Sequence, residues 1–165
     1  MLIILGGLPG SGKTTVAKAL ASHLRAAHIR VDSIEQALLR TGEAEKIETA
    51  GYAIALAVAA DCLRAGATVI ADSVNPLAVT RDAWRAVAAE ARVGALEVEI
   101  VCSDPGEHRR RVETRAADIP GHVQPTWTQV VEREYHSWTS ADLVIDTAST
   151  QADAAVAEIV ARFRD

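Results

Sequence analysis

Residues 7 to 14 read Gly7-Leu8-Pro9-Gly10-Ser11-Gly12-Lys13-Thr14, a Gly-x4-Gly-Lys-Thr pattern. The apolar run Leu2-Ile3-Ile4-Leu5 precedes it, and Val16, Leu20 and Leu24 follow on one helical stripe. A strand therefore leads through a glycine turn into a helix. Glycines let the backbone turn its N–H groups inward, and a helix start adds partial positive charge, so the turn is shaped to cradle phosphate oxygens. The pattern predicts a P-loop. Gly10, Ser11, Gly12, Lys13, Thr14 and Thr15 are expected to hold nucleotide phosphates, with Lys13 reaching the β- and γ-phosphates. The Thr14 hydroxyl is expected to ligate magnesium, so ATP and Mg2+ are the predicted cofactors.

The rest of the chain alternates short apolar runs with helical patterns. Strands are predicted at 2–5, 29–31, 68–71, 96–102 and 143–145. Ser33 is expected to cap a helix, with Gln36 as its capping-box partner. A long Ala-rich helix is predicted over 47–65, stopped by Gly66, and another over 77–91. Pro105 opens a further helix, and Trp127, Val130, Val131, Glu134 and Trp138 recur at helical spacing. Ala152, Ala155, Val156, Ile159, Val160 and Phe163 make the stripe of the last helix. Alternation of this kind predicts an α/β fold, a parallel sheet covered on both faces in three α/β/α layers. With 165 residues, 49% hydrophobic and only 4% aromatic, one domain over 1–165 is expected, built from Ala, Val, Leu and Ile. Ligands gather beyond the carboxyl ends of such strands, where this chain places the P-loop, Asp32, Asp72 and Asp104.

Several classes are set aside. A net charge of −5 gives no general attraction to nucleic acid or anionic membrane. No apolar window is long enough to span a bilayer, and the apolar start is too short for a signal sequence, so a cytoplasmic location is expected. Cys62 and Cys102 lack ligand spacing and read as buried, reduced thiols. The guanine-reading Asn-Lys-x-Asp segment of GTPases is missing, and Asp118-Ile119-Pro120-Gly121, a DxxG match, follows a helix rather than a strand.

Asp72 closes an apolar strand, the Walker B arrangement in which a carboxylate holds magnesium; an Asx-turn is the plainer alternative. Asp104 before Pro105 reads as a helix cap. Arg111 and Arg115 are four apart and would share one helical face, within a basic stretch that otherwise reads as a solvated surface. Tyr52, Trp127, Tyr135 and Trp138 read as core packing or as aromatic surface for an acceptor, Trp127 being nearest the substrate side, and His122 reads as an exposed loop histidine.

These motifs together resemble the zeta-toxin, polynucleotide-kinase and chloramphenicol-phosphotransferase branch of P-loop kinases, also described as AAA-type ATP-binding proteins. The resemblance covers nearly the whole chain. It is carried by residues 7–15, by Val31-Asp32-Ser33, by Val69-Ile70-Ala71-Asp72-Ser73-Val74-Asn75 with Arg81 and Trp84, and by Arg111 and Arg115. It implies a five-stranded sheet in the order 2-3-1-4-5 and a small helical lid at about 109–126. It implies that Asp32 is the substrate-facing base, with a helix cap as the alternative role. Glu35, one turn on, would contact the acceptor or stay solvated. Asn75 and Arg81 would line the acceptor pocket, Arg81 alternatively pairing with a surface Asp. Arg111 and Arg115 would clamp the transferring phosphate, and the loop at 146–149 would meet adenine through its backbone.

The implied activity is an ATP- and Mg-dependent kinase that phosphorylates a hydroxyl of a small-molecule acceptor, without an obligate protein partner. A kinase of nucleic-acid 5′-hydroxyls would want a basic track that this acidic chain lacks. A zeta-like toxin would need long substrate-side insertions. A nucleotide-binding ATPase module without an acceptor would have no use for Asp32 as a base.

Overall fold

The computed structural model describes residues 1–42 and 49–164. β1 (Leu2–Gly6) enters the glycine turn, and α1 (Lys13–Leu24) follows. β2 (Ala27–Arg30) then passes directly into α2 (Val31–Thr41). α3 (Ala50–Arg64), β3 (Val69–Asp72), α4 (Ala78–Glu90) and β4 (Ala95–Val101) continue the alternation. α5 (Pro105–Thr114), the short α6 (Trp127–Val131), β5 (Leu143–Asp146) and α7 (Ala152–Arg164) complete it.

The sheet is parallel throughout, in the order β2-β3-β1-β4-β5. Leu2, Ile3, Ile4 and Leu5 of the central β1 are fully buried, which explains the unbroken apolar run. Their alternation divides two cores. Leu2 and Ile4 face one side with Ala55, Ala59 and Trp84, under α3 and α4. Ile3 and Leu5 face the other with Val16, Leu20 and Ile159, under α1 and α7. Burying each such side chain is worth about 1.5–3 kcal/mol.

Three local expectations change. β2 ends at Arg30, and Val31 already opens α2, so the strand predicted at 29–31 begins two residues and ends one residue earlier in the structure. The N-cap is Arg30, with no side-chain cap bond; Ser33 lies inside the helix and forms no capping box. The helical spacing from Trp127 to Trp138 gives helix only to Val131. Beyond it, the His136 N–H donates to the Pro76 carbonyl at 2.8 Å and the Trp138 ring packs over Gly6, tying the chain to the strand ends instead. The predicted helix start near Ile47 and the Phe163 side chain lie outside the described residues. Cys62 and Cys102 are free thiols but only partly buried. Among the described residues no helix is long and apolar enough to cross a membrane.

Candidate active site

The phosphate loop spans the end of β1 and the start of α1. Gly12 is the N-cap of α1 with φ 96°, a left-handed conformation, and no side chain caps the helix. The N–H groups of the first turn have no carbonyl before them within the helix, so they are left to an anion. Gly7 is also left-handed, with φ 135°, and a Cβ there would lie 2.0 Å from the Ile100 carbonyl oxygen. Its N–H donates to the Val74 carbonyl at 3.0 Å, which joins the loop to the end of β3.

Lys13 is 7% exposed and donates from Nζ to the Leu8 carbonyl at 2.9 Å, so its ammonium is held over the loop. Burial lowers its pKa to about 8, although the Asp72 and Asp32 carboxylates pull the other way. Asp72 ends β3 in register with Leu5 on one side and Arg30 on the other. It is 2% exposed. Burial alone would raise its pKa, but a hydrogen bond from His28, the Lys13 charge and the Thr14 hydroxyl outweigh that and hold it below the ordinary carboxylate range. His28 Nε2 lies 3.0 Å from Asp72 Oδ2.

These donors fit magnesium. Thr14 and Asp72 bring a hydroxyl and a carboxylate oxygen together beside the anion cradle. Among the described residues there is no cluster of three His, Cys, Asp or Glu. Magnesium commonly keeps most of its shell as water and substrate phosphate, and takes only one or two protein oxygens.

The loop opens onto a cleft of about 550 Å³, the size of a small-molecule site. Lys13, Thr14, Asp72, Arg115, Asp32 and Glu35 all line it, and the Asp32 charge acts on both Lys13 and Arg115. Asp32 is the second residue of α2, not its cap, and its carboxylate sits 3.6 Å from Arg30. Glu35, one turn on, is half-buried; burial and then the Asp32 charge raise its pKa, with Arg133 opposing. His122, expected to be an exposed loop histidine, is partly buried and lines this cleft.

The two lid arginines part company. α5 ends at Thr114, and Arg115 is its C-cap with extended φ and ψ, so it leaves the helical face that Arg111 occupies. Arg115 turns into the cleft. Arg111 instead donates from Nη1 to Thr147 Oγ1 at 2.8 Å and from Nη2 to the Thr147 carbonyl at 3.0 Å. Thr147 in turn donates to the Ser11 carbonyl at 2.7 Å, on the flank of the phosphate loop. The expectation of one arginine clamp is thus replaced by two separate placements.

Asn75 and Arg81 are also reassigned. Asn75 is fully buried; its Nδ2 donates to the Leu5 carbonyl at 2.8 Å, and its Oδ1 accepts from Trp84 Nε1 at 3.1 Å. Arg81, 3% exposed, donates to the carbonyls of Asn75, Pro76, His136 and Ser137, and its guanidinium stacks 4.7 Å from the Trp138 ring centre. Both hold the strand ends together rather than facing the cleft. Asp104 caps α5 through bonds from Gly106 and Glu107 N–H groups. Trp127 meets the His108 ring edge-on at 5.2 Å, and His108 Nε2 lies 2.8 Å from the Pro9 carbonyl, so this pair buttresses the phosphate loop.

Arg30, Thr80, Gln124, Gln129 and Arg133 also line the cleft and were not singled out as site residues in sequence; Tyr52, read there as core packing or acceptor surface, lines it too. They come from five separate segments with no shared spacing. Only His28 and Arg30 carried a usable signal: polar residues flanking Ile29 on a strand that pairs with the strand ending in Asp72. Asp118 of the DxxG match bonds Lys18 and Arg30, each at 2.8 Å, and so holds the loop after α5 against the sheet edge.

An AAA domain family model matches residues 2–134. A probable adenylyl-sulfate kinase of Aeropyrum pernix is 28% identical over 163 residues, covering 90% of this chain and 84% of its own. The crystal structure of a putative kinase from Chloroflexus aurantiacus superposes with a TM-score of 0.76 at 20% identity, covering 99% of this chain and 95% of that one. The Mycobacterium tuberculosis APS kinase CysC, solved in complex with AMPPNP and APS, gives 0.71 at 19% identity over 99% of this chain and 97% of its own. The likeness in these solved structures is one of fold.

Proposed function

The chain belongs to the AAA domain family, and from that premise we propose that it is a kinase transferring the γ-phosphate of ATP to a hydroxyl of a compact small-molecule acceptor. The observation that carries the proposal is that Lys13 and Asp32 line one small cleft, near enough for the Asp32 charge to act on Lys13. A phosphate-binding ammonium and a carboxylate base within one cavity are what transfer to an alcohol requires. The Aeropyrum relative's name, a probable adenylyl-sulfate kinase, supports kinase chemistry on a small molecule. A narrower kinship with polynucleotide kinases and chloramphenicol phosphotransferases is part of the proposal. It is supported by Asn75, Arg81 and Trp84, whose spacing in sequence corresponds to one connected strand-end unit just after Asp72.

In this reading the backbone N–H groups at Gly10, Gly12, Thr14 and Thr15 and the Ser11 turn hold the phosphates, and Lys13 neutralises charge on the β- and γ-groups. Thr14 and Asp72 would hold magnesium, which supplies charge neutralisation between those phosphates. Asp32 takes the proton of the acceptor hydroxyl as its oxygen bonds to the γ-phosphorus and the bond to the β–γ bridging oxygen breaks, leaving ADP. Arg115 enters from the lid side and stabilises the moving charge. Arg111, bonded to Thr147, serves the side of the loop where the base would lie. Segment 109–126 is the part placed to cover the reacting groups.

Asp32→Asn tests this directly. Nucleotide affinity should persist, while acceptor-stimulated ADP release falls by about 10²–10⁴-fold, the usual contribution of a positioned base. A fully active Asp32→Asn enzyme would remove the base from the proposal.

A further inference from the structure

Asp72 comes to the cleft with one of its two oxygens already engaged. His28 Nε2 lies 3.0 Å from Asp72 Oδ2, and the Asp72 side chain is 3% exposed. An ionised carboxylate only accepts hydrogen bonds, so the imidazole nitrogen is the donor. Burial pushes the Asp72 pKa up, and the His28 bond is the largest of the influences that bring it down. The sheet makes this contact. β2 runs beside β3 with His28 opposite Ile70 and Arg30 opposite Asp72. Side chains alternate along a strand, so Ile29 turns into the core under α3 and α4 with Val69 and Ala71. His28 turns to the opposite face with Ile70 and Asp72, on the α1 side. A ring there spans the diagonal to the carboxylate.

The other groups around Asp72 have different duties. Lys13 donates to the Leu8 carbonyl and acts on Asp72 through its charge. Arg30 meets Asp118 at 2.8 Å and Asp32 at 3.6 Å. The Thr14 hydroxyl bonds Asp72, but in the reading above its oxygen turns to magnesium. His28 is then the side chain that still holds the carboxylate when the metal is bound. Hydrogen bonds from outside the ligand shell commonly fix the orientation of a ligating side chain in this way.

We propose that His28 is a positioning residue for the metal site: its N–H holds Asp72 Oδ2 and leaves Oδ1 as the single oxygen offered to the ion. The proposal rests on the assignment of Asp72 to magnesium and adds what orients that ligand. An oxygen that already accepts from an N–H is a poorer ligand, so Asp72 is kept from gripping one ion with both oxygens. One-oxygen ligation suits magnesium, whose tight octahedral shell is filled mostly by water and phosphate. Calcium is larger and readily takes both oxygens of a carboxylate. His28 therefore also biases the site towards magnesium over calcium.

Calorimetry of AMPPNP binding in EDTA, Mg2+ and Ca2+ tests this, with thermal melts in EDTA to confirm that each variant folds. The readout is the factor by which a metal tightens AMPPNP over EDTA. His28→Leu should cut the Mg2+ factor by about tenfold or more, the usual loss when a partner of a metal ligand is removed. The Ca2+ factor should fall less, and His28→Gln, whose amide can replace the Nε2 donor, should restore most of the Mg2+ factor. In an Asp72→Asn background the His28→Leu effect should vanish, because the two act as one unit. Should the leucine variant not fold, His28→Asn, whose amide stops short of the Nε2 position, carries the same expectations. An unchanged Mg2+ factor in a folded His28→Leu protein, a Ca2+ factor that falls equally, or a loss that persists with Asp72→Asn overturns the positioning role. In those cases the magnesium assignment stands as long as Asp72→Asn alone lowers the Mg2+ factor. If Asp72→Asn leaves that factor intact, the assignment of Asp72 to magnesium fails, and this proposal with it.

Discussion

The two ends of the cleft are built by different means. The phosphate end is backbone work: a left-handed Gly12, an uncapped helix start and one ammonium bonded to a loop carbonyl at 2.9 Å. Its carboxylate, Asp72, is already engaged by His28 at 3.0 Å. The acceptor end is side-chain work, with Asp32, a half-buried Glu35 that feels the Asp32 and Arg133 charges, and a Gln124 whose Oε1 is buried. A backbone cradle serves any nucleotide polyphosphate, because phosphates are alike. A side-chain pocket can be retuned for one acceptor without disturbing that cradle. The first end should then behave as a rigid unit sensitive to charge, and the second as a set of separable contacts.

The sharpest way to break this contrast is at Lys13. Lys13→Ala should lower turnover by about 10²–10³-fold, the scale seen when one preorganised charge stabiliser is lost. The wild type should also bind ADP less tightly as pH rises. Lys13 titrates at about 8 in the free protein, and phosphate favours its charged form. Below that pH the ammonium is present before binding. Above it, binding takes up a proton, so affinity should fall by up to about tenfold per pH unit. Calorimetry in two buffers of different ionisation heat measures the proton directly. A flat profile from pH 7 to 9.5, or a slope that persists in Lys13→Ala, contradicts the assignment.

Asn75 probes the boundary between the two ends. It has φ 49°, bonds the Leu5 carbonyl and receives Trp84. Asn75→Ala should destabilise the fold by about 3 kcal/mol, from two lost buried bonds and an unfavourable left-handed alanine. Denaturant midpoints report it. A mild effect on stability with a large change in acceptor KM would return Asn75 to the acceptor pocket. The smallest effect belongs to Asp118, whose partners Lys18 and Arg30 leave it 42% exposed. Asp118→Asn should cost less than about 1 kcal/mol, since exposed ion pairs contribute little. A loss of several kcal/mol would mean that the loop after α5 is a structural strap.

Local chemistry explains what could be read in advance. The apolar run before the glycine turn, the Asp-ended strand, Asp104 as a cap and the parallel alternation are all short-range patterns, and each has its counterpart in the structure. Strand order followed from resemblance rather than from any local pattern. Arg111 and Arg115 show where spacing misleads. Residues four apart share a face only while the helix lasts, and α5 stops between them. Asn75 and Arg81 look like a polar pair near a site, yet Asn75 is spent on the Leu5 carbonyl of β1 and on Trp84, and Arg81 on carbonyls of the loop after β3 and of the turn at 136–137.

By itself the sequence determined the phosphate cradle, because glycine torsions, a helix start and one lysine are consecutive along the chain. Only tertiary structure decided which side chains surround the acceptor. Arg30, Tyr52, Gln124 and Arg133 meet there because the β2 edge, α3 and the chain around α6 converge on the same strand ends. Contacts between segments a hundred residues apart obey no period, so no window along the chain contains them.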